Sequence, residues 1–256
     1  MRAPDQLRAV FEEHLATVRF HPDLGGLEDA VRYALAGGGK RIRPVVCLAT
    51  AEAAGGTIEA ALDAATALEL VHTFSLVHDD LPAMDDDDER RGRPSTHIAY
   101  SEAIGVLAGD ALLAEALRIA LLHSSPAVAL ELATATVGMI GGQFLDIAKT
   151  DMDLTVLHRL KTGRLFAAAV GLGLTTARVP EDRQLPWRIF GDELGLLFQA
   201  VDDVLDGDGY AERLGVGGAR DVAAGAATRA RASLVTAGGE TAVLEQIVDE
   251  LLHRTT

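Results

Sequence analysis

The sequence predicts an all-α fold, and three observations support this prediction. Apolar residues recur at helical spacing along most of the chain, as in LRAVFEEHLATV at 7–18. No segment alternates apolar and polar residues in the way a strand does, and no repeat with a period of about 20–50 residues is evident. Alanine, leucine and valine are the commonest apolar residues, and aromatic residues make up only 4% of the chain. This composition favours closely packed helices with small side chains at their contacts.

Glycines and prolines set the predicted helix ends. Glycines at 25–26, 37–39 and 55–56 separate the first four helices, because glycine permits tight turns. Pro82 lacks an amide donor and cannot continue a regular helix. Glycines 141 and 142 are expected to interrupt a later one. The predicted helices span 5–18, 27–35, 45–54, 58–79, 99–122, 128–148, 154–177 and 187–206, with a loop at 92–95 and a short final segment at 240–254.

Length and composition narrow the class of protein. A chain of 256 residues can form one large domain, which we predict over 1–256. A net charge of −15 argues against nucleic acid as a partner, since the two dense basic groups, 40–43 and 90–93, are each suited to a single diphosphate. The single cysteine allows no intramolecular disulfide, and no window approaches about 18 uninterrupted apolar residues. The prediction is a cytoplasmic protein with no transmembrane segment.

An acidic stretch after the fourth helix carries much of the candidate chemistry. Residues 79–93 read DDLPAMDDDDERRGR. Acidic runs are usually solvated surface, but here apolar residues lead directly into Asp79. Carboxylates at the mouth of an apolar cavity repel one another unless a cation joins them, and Mg²⁺ prefers such oxygen ligands. Because arginine suits phosphate oxygens, the predicted ligand is a metal-bridged diphosphate.

A second acidic cluster lies about a hundred residues further along, in FQAVDDVLD at 198–206. Asp202 and Asp203 lie four and three residues before Asp206, so all three share one helical face. Apolar residues again precede the carboxylates. Two such clusters predict two facing metal-binding surfaces.

Six motifs in a fixed order then make the chain resemble a known family, the all-trans polyprenyl (isoprenyl) diphosphate synthases. The motifs are GGGKRIRP (37–44), SLVHDDLPAMDDDDERRGRP (75–94), LAGDALL (107–113), GGQFLD (141–146), LKTG (160–163) and FQAVDDVLD (198–206). The first aspartate motif has the longer form found in bacterial farnesyl and many geranylgeranyl diphosphate synthases. The resemblance implies about ten or more antiparallel helices around a deep central cavity, and a homodimer.

The resemblance also implies roles for individual residues. Isopentenyl diphosphate would be bound by Lys40, Arg43 and His72, and the allylic diphosphate by Arg90 and Lys161, with Arg91 as a further substrate-binding residue. The implied catalytic residues are Lys161, Thr162, whose oxygen would face the developing carbocation, and Gln199, which would line the same cavity. About three Mg²⁺ ions would be held by carboxylates. The implied metal ligands are Asp79, Asp80, Asp85, Asp146, Asp202, Asp203 and Asp206, with Asp86 as an alternative because it aligns with Asp79 on an unbroken helix.

Product length is predicted from the residues before the first aspartate motif. Phe74 and Ser75 lie five and four residues before Asp79, roughly 6–7.5 Å along a helix. In the family an aromatic residue at this place accompanies short products. The prediction is therefore a C15 farnesyl product, with C20 geranylgeranyl next. The alternative is that Phe74 packs in the core or at a dimer contact.

The sequence leaves two other functions open. A class I terpene cyclase shares the aspartate clusters, although the basic residues at 40–43 favour a second diphosphate and hence condensation. A non-catalytic partner subunit is the other alternative. It is motivated by Val216 and Ala226, which stand where the family usually has lysines, and by the short 240–254 segment. Arg220 and Arg229 are candidates to compensate for those lysines.

Overall fold

The computed structural model describes residues 1–148 and 153–254, and it confirms the all-α prediction. The helices are α1 (Pro4–Thr17), α2 (Leu27–Leu35), α3 (Ile42–Ala53), α4 (Ile58–Asp79), α5 (Thr96–Ala99), α6 (Glu102–Leu122), α7 (Pro126–Ala148), α8 (Leu154–His158), α9 (Arg164–Thr176), α10 (Leu185–Asp206), α11 (Gly209–Ala237) and α12 (Ala242–Leu252). Short 3₁₀ turns lie at Pro22–Leu24 and Glu181–Arg183, and a π-helical turn at Arg159–Gly163 joins α8 to α9.

Three local predictions are corrected. The loop expected at 92–95 belongs to a small antiparallel hairpin of β1 (Glu89–Arg90) and β2 (Arg93–Pro94). The helix expected at 99–122 is divided at Tyr100, and Ser101 caps α6 by accepting a hydrogen bond from Ile104 N at 3.3 Å. The interruption expected at glycines 141–142 is wrong, because α7 runs through both residues.

Helix α4 is the centre of the core. It packs against α3, α6 and α9, and both Leu68 and Leu70 are fully buried. Apolar side chains on nearly all of its faces explain why it needs neighbours on every side. The buried apolar residues of the described chain form one continuous cluster that also includes α10 and α11.

Two helices are long and apolar enough to cross a membrane by length and composition alone, α4 and α7. Within the most apolar window of α4, 67% of the residues are buried inside the fold, as in a core helix. The corresponding share for α7 is 39%, since this helix exposes an apolar side.

The chain turns back sharply after α4 instead of bending within it. The helix ends at Asp79, and Pro82 lies exposed in the following turn. The backbone N–H of Asp85 donates to the carbonyl of Asp79 at 2.9 Å. The turn therefore brings Asp85 beside the end of the helix, whereas Asp86 has a left-handed backbone with φ of 56°.

Candidate active site

The first acidic cluster begins with Asp79 at the end of α4. Its carboxyl group borders an apolar cavity, and burial together with the nearby Asp85 raises its pKa to about 6, although Lys161 opposes the shift. The raised pKa means that the nearby cations do not fully offset the burial of the carboxylate and its repulsion by Asp85. The Asp79–Asp85 pair is thus a place where a divalent cation would relieve an unfavourable charge.

Asp80 has a partner within the protein. Its side chain is buried, and its Oδ1 accepts a hydrogen bond from Nε of Arg90 at 2.6 Å and lies 2.5 Å from Nη2 of the same arginine in an ion pair. Arg90 also faces Asp87 at 3.5 Å. The hairpin that carries Arg90 is therefore fastened to the end of α4 by a charged hydrogen bond.

Arg91 contacts the glycine loop before α3. Its Nη1 donates to the carbonyl of Gly38 at 2.5 Å, and a Cβ on Gly39 would lie 2.4 Å from the same nitrogen. Gly39 has a φ of 122°, which side-chain-bearing residues rarely adopt. The glycines thus allow the guanidinium to lie directly on the backbone beside Lys40.

A basic pocket of about 490 Å³ lies between this loop and α10. Its lining includes Lys40, Arg43, His72, Arg91, Thr162, Phe198, Asp202 and Arg254. Arg43 lies over the rings of Phe166 and Phe198, at 4.8 and 5.7 Å from their centroids. Burial lowers the pKa of its guanidinium to about 10. The side chain stays cationic at neutral pH in a largely dehydrated position, where an anion would be bound strongly.

His72 lies against Arg43, with Nε2 3.3 Å from Nη1 of the arginine. Burial first, and then the surrounding arginine charges, lower the pKa of His72 well below its usual value. His72 is therefore neutral near pH 7 and contributes hydrogen bonding to the basic pocket without a charge.

The three aspartates of the second acidic cluster have different surroundings. Oδ1 of Asp202 accepts a hydrogen bond from Nη1 of Arg254 at 2.5 Å, and burial raises the pKa of this carboxyl group. Asp203 is only 1% exposed, with both oxygens hydrogen-bonded inside the protein. Asp206 is exposed. Only Asp202 of the three lines the basic pocket.

An apolar cavity of about 520 Å³ adjoins the basic pocket. Its lining includes Phe74, Ser75, Leu76, Asp79, Met84, Met139, Ile140, Gln143, Phe144, Ile147, Lys161, Thr162 and Leu165. Arg43, His72 and Thr162 line both spaces. The site therefore places a binding region for anions directly beside one for a hydrocarbon.

The π-helical turn carries Lys161 and Thr162 to the junction of the two spaces. Lys161 pairs with Asp146 of α7, and the hydroxyl of Thr162 donates to Oε1 of Gln199 at 2.6 Å. π-Helical turns tend to occur at functional sites. Here the turn brings together four of the residues that the sequence singled out.

No group of three or more histidine, cysteine, aspartate or glutamate side chains converges on one point among residues 1–148 and 153–254. The carboxylates occur instead as pairs at the ends of α4 and α10. This donor set fits Mg²⁺ that receives its remaining oxygens from a bound diphosphate, which is how magnesium commonly binds.

Arg254 is not among the residues predicted from the sequence. The predicted replacement cations are Arg220 and Arg229, near Val216 and Ala226, but Val216 is 46% exposed and Ala226 is fully buried in the core. Arg229 pairs with Glu193 at 2.9 Å. Helix α12 packs against α3 and α10, and this contact brings Arg254 to Asp202, 52 residues away in sequence. No local sequence signal marks that approach.

This arrangement of helices, carboxylate pairs and adjoining spaces defines an all-α protein with a site suited to diphosphates carrying a hydrocarbon. The chain belongs to the polyprenyl synthetase family, whose model matches residues 25–253. It is 46% identical over 202 residues to a geranylgeranyl diphosphate synthase of Cyanophora paradoxa, covering 73% of this chain and 67% of that protein. It is 38% identical over 204 residues to a farnesyl diphosphate synthase of Bacillus subtilis, covering 74% and 69%.

Solved structures agree with the sequence relatives. A geranyltransferase from Legionella pneumophila superposes with a TM-score of 0.87 at 34% identity, covering 98% of this chain and 96% of that one. An FPP/GFPP synthase from Zymomonas mobilis gives 0.83 at 36% identity, covering 97% and 95%. Against curated plant proteins the matched part is shorter. The chain spans 62% of the length of a chloroplastic geranylgeranyl pyrophosphate synthase of Arabidopsis thaliana, to which it is 42% identical.

Proposed function

We propose that this protein is a short-chain trans-prenyltransferase that condenses isopentenyl diphosphate with an allylic diphosphate. The observation that carries the proposal is the meeting of the basic pocket and the apolar cavity at Thr162. Condensation needs a second diphosphate site beside the ionising substrate, and a cyclase does not. The names of the relatives support the same class of reaction.

The allylic substrate lies with its diphosphate between the two acidic clusters and its chain in the apolar cavity. Asp79, Asp85, Asp202 and Asp206 are the proposed principal ligands for about three Mg²⁺ ions, with Asp80 and Asp146 supporting them. Bound metal supplies charge that stabilises the departing diphosphate. Lys161 and Arg90 add cationic hydrogen-bond donors to the same oxygens.

The isopentenyl substrate is bound in the basic pocket. Lys40 and Arg43 supply charge, and neutral His72 supplies a hydrogen-bonding ring. We add Arg254 to this set, because it lines the same pocket and pairs with Asp202. The lining of the apolar cavity keeps water from the allylic cation that forms when the C1–O bond to diphosphate breaks. The double bond of isopentenyl diphosphate then attacks C1, and the departed diphosphate takes up the proton that the product loses.

Product length is proposed from Phe74. The ring is 7% exposed, lines the apolar cavity and contacts the ring of His78 edge-on at 5.0 Å. A growing chain anchored at Asp79 would meet this ring after about one helical turn. The proposed main product is C15 farnesyl diphosphate. C20 geranylgeranyl diphosphate is the second candidate, supported by the similar proteins that are named geranylgeranyl diphosphate synthases.

The test is a product assay of the purified chain with isopentenyl diphosphate, dimethylallyl diphosphate and Mg²⁺. We expect longer linear diphosphates. Asp79→Ala and Asp202→Ala should each lower turnover about a hundredfold or more, since each removes part of one acidic cluster. A cyclic hydrocarbon from an allylic diphosphate alone would indicate a cyclase. Absence of any turnover by the wild-type chain would indicate a partner subunit.

A further inference from the structure

Asp203 uses both of its carboxylate oxygens inside the protein. Oδ1 accepts from Nε2 of Gln199 at 2.7 Å, and Oδ2 accepts from the backbone N–H of Tyr210 at 2.7 Å. The residue is 1% exposed, and Asp202 beside it has 26% of its side chain exposed. A carboxylate enclosed in this way has little room for a metal ion, because a metal would have to displace one of these donors.

The hydrogen bond to Gln199 fixes which way its amide group points. Since the carboxylate of Asp203 only accepts, the NH₂ of Gln199 must face it, and the amide oxygen then faces Thr162. Oε1 of Gln199 accepts from the Thr162 hydroxyl at 2.6 Å. The hydroxyl hydrogen of Thr162 is therefore donated to Gln199. The lone pairs of the Thr162 oxygen can then face the cavity in which positive charge develops.

The other carboxylate oxygen of Asp203, Oδ2, is in contact with the first turn of α11. Gly209 has a left-handed φ of 49°, and a Cβ built there would lie 2.3 Å from Oδ2 of Asp203. The ring of Tyr210 meets that of His158 edge-on at 5.0 Å, directly before the π-helical turn. The start of α11 is therefore closely fitted to the carboxylate.

We propose that Asp203 is a positioning residue, which orients the Gln199 amide so that Thr162 presents its oxygen to the allylic cation, and which locks this pair to the start of α11. The proposal deepens the prenyltransferase function and rests on it. In this proposal Asp203 orients neighbouring groups through its hydrogen bonds and does not bind a metal ion. Metal binding is the role that the family resemblance implied for it.

The first experiment compares Asp203→Asn with Asp202→Asn. The asparagine at 203 has one acceptor oxygen and one donor NH₂, so it cannot accept from both partners. Either its NH₂ faces the N–H of Tyr210, or the Gln199 amide turns over and points its own NH₂ at the oxygen of Thr162. We expect kcat to fall about ten- to a hundredfold, with both KM values and the half-saturating Mg²⁺ concentration within about twofold of wild type. Asp202→Asn should instead raise the half-saturating Mg²⁺ severalfold. A comparable rise in Asp203→Asn, or a wild-type kcat, would overturn the proposal.

A second pair of variants tests the contact without changing Asp203. Gly209→Ala places a methyl group against Oδ2, whereas Gly207→Ala at φ of 79° meets nothing within 4 Å and measures backbone strain alone. We expect Gly209→Ala to lower kcat at least tenfold more than Gly207→Ala does. Equal effects of the two substitutions would contradict a role for the carboxylate contact.

A third measurement needs no activity and separates this proposal from the function on which it rests. Amide hydrogen exchange at Tyr210 should be at least tenfold faster in Asp203→Ala, which removes both acceptor oxygens, than in wild type, and unchanged at the far end of α11. Unchanged exchange at Tyr210 would overturn the positioning role. A wild-type chain that makes no prenyl product, with the exchange result as expected, would count against the proposed function and leave the hydrogen-bond assignment standing.

Discussion

At the scale of single residues, Arg254 tests whether a distant cation replaces the missing lysines. Arg254→Ala should raise the KM for isopentenyl diphosphate about tenfold, because one charged hydrogen-bond donor leaves the basic pocket. The KM for the allylic substrate should change less. Steady-state kinetics with each substrate varied in turn measures this difference.

The matched control for that variant is Arg231→Ala, which removes an arginine that pairs with Asp249 on the surface, away from the pocket. Surface pairs contribute little to stability, so kinetics near wild type are expected. Equal KM values for isopentenyl diphosphate in the two variants would exclude Arg254 from the substrate site.

His72 predicts a pH dependence of stability. Its pKa in the folded protein is lowered well below the usual value, so the unfolded chain takes up a proton near pH 6.5 that the folded chain does not. The contribution of neutral His72 to the free energy of unfolding is present above about pH 6.5. It is lost as the pH falls below this value, by up to about 1.4 kcal/mol per pH unit. Denaturant unfolding of His72→Asn between about pH 7.5 and 5 should show a shallower loss than wild type.

The same substitution at the exposed His21 is the control, since that residue lies outside the basic pocket and the apolar cavity. An acid loss of stability in His72→Asn as steep as in wild type would show that the folded protein protonates His72 as readily as the unfolded chain does.

At the scale of single elements, α7 and the π-helical turn fit together through Gly142. A Cβ at this position would lie 2.3 Å from the backbone nitrogen of Lys161, whereas one on Gly141 would meet nothing within 4 Å. Gly142→Ala should therefore displace the turn that carries Lys161 and Thr162 and lower kcat tenfold or more. Gly141→Ala should keep activity and gain roughly 0.5–1 kcal/mol of stability, since alanine favours a helix. Thermal melts and kinetics check both, and similar activity in the two variants would contradict the close fit.

Helix α4 predicts the effect of Phe74 on product length. Phe74→Ala should shift the products to C20 or longer with little loss of total turnover, because it opens the apolar cavity without touching the acidic clusters. Chromatography of dephosphorylated products measures the chain lengths. Leu68→Ala on the same helix, fully buried and outside the cavity lining, is the control for loss of packing alone. An unchanged product distribution from folded Phe74→Ala would place the floor of the cavity elsewhere.

The elements also show how far sequence carries. Helical periodicity located most helices, and the aspartate motifs located both acidic clusters, because these signals are local. The predicted break at glycines 141 and 142 is wrong because glycine, which often ends a helix, also lets another backbone approach closely, as at Gly142. Only the tertiary contacts distinguish these two roles of glycine. Arg254 and the enclosed carboxylate of Asp203 depend on the packing of α12 and the start of α11, which no local pattern encodes.

At the scale of the whole molecule, the outer face of α7 predicts a dimer. Leu130 and Val137 are seven residues apart on one helical face, and are 69% and 71% exposed. Exposed apolar surface of this extent commonly marks an interface, and we propose that a second copy of the chain covers it. The double variant Leu130→Glu, Val137→Glu should shift the protein from dimer to monomer in size-exclusion chromatography with light scattering.

Val235→Glu is the control, since this residue is 79% exposed on α11, a helix that packs chiefly against α10 and α12. It should leave the assembly unchanged. A double variant that still runs as a dimer would place the interface elsewhere. A monomeric wild-type protein would refute the proposed dimer.

The pairing of carboxylates at the ends of α4 and α10 has a thermodynamic consequence. In the proposed function, neither pair completes a coordination sphere, so magnesium and the diphosphate of the substrate would each supply what the other lacks, and their affinities would be linked. By reciprocity, the factor by which diphosphate tightens magnesium binding would equal the factor by which magnesium tightens diphosphate binding. Free magnesium would then act as a cosubstrate whose concentration sets the apparent affinity for the allylic diphosphate. A cell could change flux through this protein by changing its ion content, with no change in the amount of protein.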